Sequence, residues 1–220
     1  MPTSHNQFLI RRFNPATDMD SAFRCYVESF YHNSWPLIDH AEPRLVRDSI
    51  AAIVKMSDVP LVAEADGEAR GMLVGSFPKE RFAVLRALMA WAALLLKVLL
   101  RRYEMTAFAR AAFWRRVTSE FSFIVRGLGT PAEVLMLVSQ EAYRGGIGRA
   151  LMDDWVAEVR AKGYDHTTVS TDSTVSWDFY ERYGFVRTHE FPIKMFFHSL
   201  PGTDVRGYIY RYDIPSGREV

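Results

Sequence analysis

Val138 to Leu151 read VSQEAYRGGIGRAL, an apolar run that breaks at a glycine-rich turn and resumes as helix-forming residues. Glycine admits positive φ and lets bare N–H groups approach a ligand closely. At a helix start those donors combine with the macrodipole into a site for phosphate or pyrophosphate. Gly145, Gly146 and Gly148, flanked by Arg144 and Arg149, therefore mark where this chain is best equipped to hold an anion. Two familiar phosphate sites do not fit. A dinucleotide fingerprint begun at Gly146-Ile147-Gly148 would need its third glycine at Leu151. Its ribose-binding acid should end the next strand, whereas Asp165 precedes that strand. A P-loop needs Gly-Lys-Ser/Thr after the turn, and none follows.

The turn resembles instead the signature of the GCN5-related N-acetyltransferases, Gln/Arg-x-x-Gly-x-Gly/Ala after the fourth strand. Tyr143-Arg144-Gly145-Gly146-Ile147-Gly148 stands in that register, with both glycines matched and Tyr143 in place of Gln or Arg. A second family segment, roughly Asn-x-x-Ala-x-x-hydrophobic-Tyr-Glu-Lys-x-Gly-Phe, is echoed by Ser173 to Phe185, STVSWDFYERYGF, with Ser173 and Ser176 replacing Asn and Ala. The resemblance covers about Glu133 to Glu190 and is absent from residues 79–128. It implies a mixed sheet that splays after the glycine-ended strand, with acetyl-CoA as cosubstrate in the gap. The pantetheine arm would bond backbone near Leu137 and Val138. The pyrophosphate would sit on the amides of Arg144 to Arg149, with Tyr143 and Ser173 at matched motif positions.

Amine acetylation requires a base for the acceptor, a hold on the oxyanion and a proton for the departing thiolate. Tyr180 matches the family tyrosine that serves as the acid, and Tyr183 is the second phenol within reach. For the base, Glu133 opens the central strand near where some relatives carry a glutamate. Asp172 at the end of the next strand is comparable, and a water relay needs neither. The resemblance thus implies acetyl transfer to a primary amine, expected to be that of a small molecule. A protein amine, or a non-catalytic acyl-CoA-binding module with an idle acid, stays open. His166 and His189 read as structural, no His spacing supports a metal, and Cys25 reads as a small apolar group in a helix. His32, Trp35 and His40 fall in a loop after the first helix, a region that often lines the acceptor pocket in relatives.

The elements that position these residues alternate in type. A strand at 7–13 leads into a helix capped by Thr17 or Asp18, and a second helix covers Pro43 to Met56. Strands at 59–65 and 70–77 flank Asp66-Gly67, a strong hairpin signal. Glu133 to Ser139 reads as a central strand, 146–162 as a helix and 166–172 as a strand. A short helix about 175–183 and strands from 185 and about 208–212 finish the pattern. The fold class is α/β (α+β): a mixed, splayed sheet flanked by helices, read as one acetyltransferase domain over 1–220.

The chain has 220 residues, 49% of them hydrophobic, a formal net charge of +1 and one cysteine. That leaves no disulfide framework or thiolate metal cluster and no global field for nucleic acid. The N-terminus lacks a cationic start before an apolar run, so a cytoplasmic protein without a secretory signal is expected. The small net charge conceals a segregation. Residues 79–128 hold ten Lys and Arg against three acids, so this segment carries +7 and the rest −6.

Within it, residues 83–100, AVLRALMAWAALLLKVLL, are apolar except Arg86 and Lys97. Eleven residues apart at about 100° each, these two fall on one side of a helix. The expectation is a helical insertion between strands 3 and 4, with a second helix at about 104–117. Its apolar faces would be buried by protein and its basic stripe would face solvent or the coenzyme cleft. A homodimer through this hairpin follows. A membrane-surface contact is the less favoured reading, and a true span less favoured again because two cations lie inside the run.

Overall fold

The computed structural model describes residues 8–31, 42–80, 82–127, 129–143, 146–193 and 205–215. Seven strands form one sheet: β1 (Leu9–Arg12), β2 (Val59–Ala65), β3 (Glu68–Ser76), β4 (Glu133–Ser139), β5 (His166–Asp172), β6 (Val186–Pro192) and β7 (Arg206–Asp213). Their order is β1-β2-β3-β4-β5-β7-β6, antiparallel at every step but the parallel β4/β5 pair. The helices are α1 (Pro15–Tyr31), α2 (Pro43–Met56), α3 (Ala83–Leu99), α4 (Ala107–Gly127), α5 (Ile147–Ala161) and α6 (Asp178–Tyr183).

Local chemistry sets most of these boundaries. Asp66 and Gly67 take φ of 54° and 75°, the double left-handed turn that matches the twist of a hairpin. The expected cap of α1 is corrected by three to four residues. The Asn14 side chain accepts the Ala16 N–H at 3.0 Å, and the helix starts at Pro15. Asp18 lies inside the first turn, where it grips Arg11 of β1 through both carboxylate oxygens at 2.6 and 2.9 Å.

Two apolar layers sandwich the sheet. On one face α5 lays Ile147, Leu151 and the fully buried Trp155 against β2, β3 and β4. Gly75 makes this approach possible, because a Cβ there would stand 2.2 Å from the Trp155 ring. On the other face α1 and α2 cover Val62, Met72, Val74, Met136 and Val138, with Cys25 packed among them.

Helices α3 and α4 occupy the stretch between β3 and β4. Helix α3 packs on α2, with Leu94 and Val98 against Leu45, Tyr103 and Phe113. Helix α4 runs ten residues past its expected end. Phe123 meets Phe191 edge-on at 5.1 Å, over Gly207, whose absent side chain makes the room. Arg86 pairs with Asp58 and Lys97 with Asp48 at 2.9 Å, so the basic stripe is tied to acids of the body while its outer side, Lys97 above all, stays open to solvent. The opposite side of α3 stays exposed on the single chain. No helix among the described residues is long and apolar enough to cross a membrane.

Candidate active site

The sheet opens between β4 and β5. Glu133 pairs with Thr168 and Val134 with Val169, and no pairing continues beyond them among the described residues. A strand edge left this way exposes peptide groups that need partners. Strand alternation identifies which. The Gln140 N–H bonds the Arg70 carbonyl on β3 at 2.8 Å, so Val138, two residues earlier, also turns its peptide groups to β3. Ser139 and Leu137 turn theirs to the gap. Ser139 is already satisfied, since Ser29 Oγ donates to its carbonyl at 3.0 Å and accepts its N–H at 3.2 Å. Leu137 turns its backbone groups to the gap, and the buried Val138 turns its own away from it. A one-residue bulge at Leu135, between Val134 opposite Gly75 and Met136 opposite Val74, lies at the point of divergence.

The glycine turn stands at the mouth of this gap. Gly146 takes φ 109° as the residue before α5, a conformation that side chains disfavour, and only Phe8 comes near its missing Cβ, at 3.6 Å. Its exposed position and the free amides behind it suit an anion. Gly148 serves packing instead, because a Cβ there would lie 3.1 Å from the Phe179 ring. That contact sets α6 directly against the start of α5. Ile147 is wholly buried, so only its backbone is available to a ligand. Arg149 is exposed with its guanidinium 5.4 Å from the Tyr183 ring centroid. Tyr143 turns its hydroxyl to Asp66 at 2.8 Å while Arg70 lies over its ring at 5.0 Å, so it braces the turn from the β2–β3 hairpin. Arg144 and Gly145 lie outside the described residues, as do His32, Trp35 and His40.

Tyr180 sits on α6 with 8% of its surface exposed, ringed by Phe179, Phe185 and Tyr210 at centroid distances of 5.4 to 6.0 Å. Its hydroxyl makes no hydrogen bond among the described residues. Burial pushes this phenol up, which keeps it protonated and fit to donate. Tyr183, by contrast, spends its hydroxyl on Asp153 at 2.7 Å.

Glu133 lies on the opposite sheet face. Val134 points into the α5 layer, so its neighbour Glu133 points toward the face covered by α1 and α4. Ser170 Oγ stands 3.5 Å from the Glu133 carboxylate, and Ile209, paired with Ser170 across β5/β7, carries this face on to Phe123 and Phe30. Asp172 is buried and holds its own turn through the Thr174 N–H at 2.8 Å. Ser173 is likewise structural, exchanging hydrogen bonds with the Arg206 backbone at 2.8 and 3.1 Å. Sequence reasoning missed Ser29 and Arg70. Nothing in their local pattern distinguishes them from other polar residues of an amphipathic helix and a strand.

Comparison with known proteins agrees with this geometry. Residues 132–194 match the profile of the Acetyltransferase (GNAT) domain family. No curated protein sequence matches the chain. Among solved structures, SsHAT superposes with a TM-score of 0.64 at 20% identity, covering 96% of this chain and 100% of that one. Ard1 from Thermoplasma volcanium gives 0.55 at 17%, over 95% and 99%. The yncA protein of Salmonella typhimurium, solved with its cofactor acetyl-CoA, gives 0.54 at 13%, over 97% and 98%. At these identities the shared property is the fold.

Proposed function

This chain is a member of the GNAT superfamily, and on that premise we propose that it transfers an acetyl group from acetyl-CoA directly to a primary amine, that of a small molecule. The observation that carries the reading is the gap: β4 leaves β5 after two residue pairs, and a helix opened by a left-handed glycine stands at its mouth. The cosubstrate supplies the activated acyl group. Leu137 holds its amide arm by strand-like hydrogen bonds, and the first amides of α5 hold its phosphates.

The division of labour follows the two faces. The acceptor is assigned to the α1/α4 side of the sheet, the face toward which Glu133 points at the closed end of the gap. Glu133, directly or through water, takes the ammonium proton. The amine nitrogen then bonds to the acyl carbon as the carbon–sulfur bond breaks. From the other face Tyr180, whose hydroxyl is uncommitted, protonates the departing sulfur. The phenolate this leaves takes the second nitrogen proton, directly or through water, and burial of the phenol favours that return to the neutral form.

The test is calorimetric titration of acetyl-CoA into the wild type and into Gly146→Val, together with a screen of amines for release of free coenzyme A. The proposal expects binding in the wild type, loss of at least tenfold in affinity in the variant, and acetyl-CoA consumption with one amine class. Equal affinity in a folded Gly146→Val protein sinks the assignment of the turn. Tight binding with no turnover on any amine favours the idle-acid module.

A further inference from the structure

Helix α3 presents the wrong side to water. Its two cations reach inward to Asp58 and Asp48, on the same side as the buried Ala83, Ala90, Leu94 and Val98. The outward half carries Val84, Leu85, Leu88, Met89, Leu96 and Leu99, each more than half exposed, and no charged residue. With Leu100 just beyond the end, these seven apolar side chains make one exposed strip of a kind that soluble monomers seldom leave to water. At both ends the strip is bordered by cations. Lys79 is exposed before α3, and Arg101 and Arg102 are exposed after it, where Arg101 takes φ 53°.

We infer that this face docks on the surface of a bilayer containing anionic lipid, with α3 lying flat at the headgroup–acyl boundary. Three observations select this occupant. The uncharged arc spans about half of the helix circumference, the geometry of an interfacial helix. Lys79, Arg101 and Arg102 flank the strip at the level of the headgroups, where each cation attracts an anionic leaflet. With Arg86 and Lys97 paired to Asp58 and Asp48, the cations left at the ends of the strip are Lys79, Arg101 and Arg102. Closing two copies face to face would set these like charges near one another, whereas an anionic surface neutralises them. Spanning is excluded by length and attachment. Seventeen helical residues rise about 26 Å, short of a hydrocarbon core of roughly 30 Å, and the inner half of α3 is fixed to α2.

Sedimentation of the whole chain with vesicles tests this, using phosphatidylcholine alone and phosphatidylcholine with about 30% phosphatidylserine, at low and high salt. The wild type pellets with the anionic vesicles, less so in high salt and less with neutral ones. Arg102→Gln combined with Arg101→Asn, an exchange that tolerates the left-handed backbone, lowers partitioning to anionic vesicles about 25-fold, near fivefold per cation. Leu88→Glu with Leu96→Glu abolishes pelleting. Melting monitored by circular dichroism confirms that each variant is folded, and Leu96→Gln alone, expected to weaken binding severalfold, replaces the double variant if that fails to fold. Failure of the wild type to pellet with anionic vesicles overturns the inference. So does a wild-type dimer in light scattering that Leu96→Gln splits into monomers, because the occupant is then a second copy.

Discussion

The mouth of the sheet and the helical pair after β3 draw on the same apolar residue types and treat them in opposite ways. Around Tyr180, rings and aliphatic groups converge on a phenol oxygen that has no hydrogen-bond partner among the described residues. Along α3, acids on α2 and on the turn before β2 draw the cations inward, and leucines are left facing out. Apolar periodicity alone therefore says that a helix has two sides, and the partners elsewhere in the chain decide which side is the inside.

The sharpest break of the comparison is at Tyr180. Replacement by Phe removes the uncommitted hydroxyl and leaves the ring packing. Turnover should fall by roughly 10²–10⁴-fold, with little change in melting temperature or acetyl-CoA affinity. Steady-state release of coenzyme A with the identified amine measures it, and turnover near wild type would reduce Tyr180 to packing. Next in size is a contrast inside α3. Leu94 is 4% exposed and Leu96 55%. Leu94→Ala should cost about 2–5 kcal/mol of stability, read from urea unfolding. Leu96→Ala in the same assay should stay within about 0.5 kcal/mol. Equal losses at the two positions would mean that the outward face is covered in solution.

Asp48 sharpens the comparison through pH. Burial alone would push its pKa up, but the Tyr103 hydroxyl and Lys97 outweigh burial and hold it below the usual carboxylate value. A group depressed on folding stabilises above its unfolded pKa, and that contribution disappears as pH falls through the folded value. Asp48→Asn should thus cost about 1 kcal/mol at neutral pH. The gap in melting temperature from the wild type should close as pH drops below about 4. A gap independent of pH would show that Asp48 holds α3 by shape rather than charge. The smallest effect is expected at Tyr143→Phe. It removes an exposed bond to Asp66 and should shift the acetyl-CoA affinity by less than about threefold. A larger loss would give Tyr143 a direct contact with the ligand.

Much of the sheet was legible because its punctuation is local. Asp66-Gly67 fixes the β2–β3 hairpin, Pro43 opens α2, and the alternation of HTTVSTD marks β5 residue for residue. The glycine turn and Tyr180 were legible for the same reason, as short motifs read in order. What escaped depends on distant partners. Asn14 rather than Thr17 or Asp18 caps α1, because Asp18 is drawn to Arg11 on the neighbouring strand. The last ten residues of α4 follow from Phe123 finding Gly207, more than eighty residues away. The inward turn of Arg86 and Lys97 needs Asp58 and Asp48, which belong to other periodic patterns. Of the expected backbone contacts to the arm, Leu137 and Val138 are separated only once the pairing of Gln140 fixes the parity of β4.

The hydroxyl of Ser29 has one more consequence. It closes the free edge of β4 at Ser139, while pairing with β5 closes it at Val134. Between these stops lie four residues, Leu135 to Val138, the first of them bulged, so the open edge is at most about 16 Å long. The open edge is thus bounded at one end by a strand and at the other by a single oxygen from a helix. An arm that reaches Leu137 finds a strand-like partner there and a shorter one does not, so the proposed transfer would read its donor by the length of the arm as well as by the acyl group.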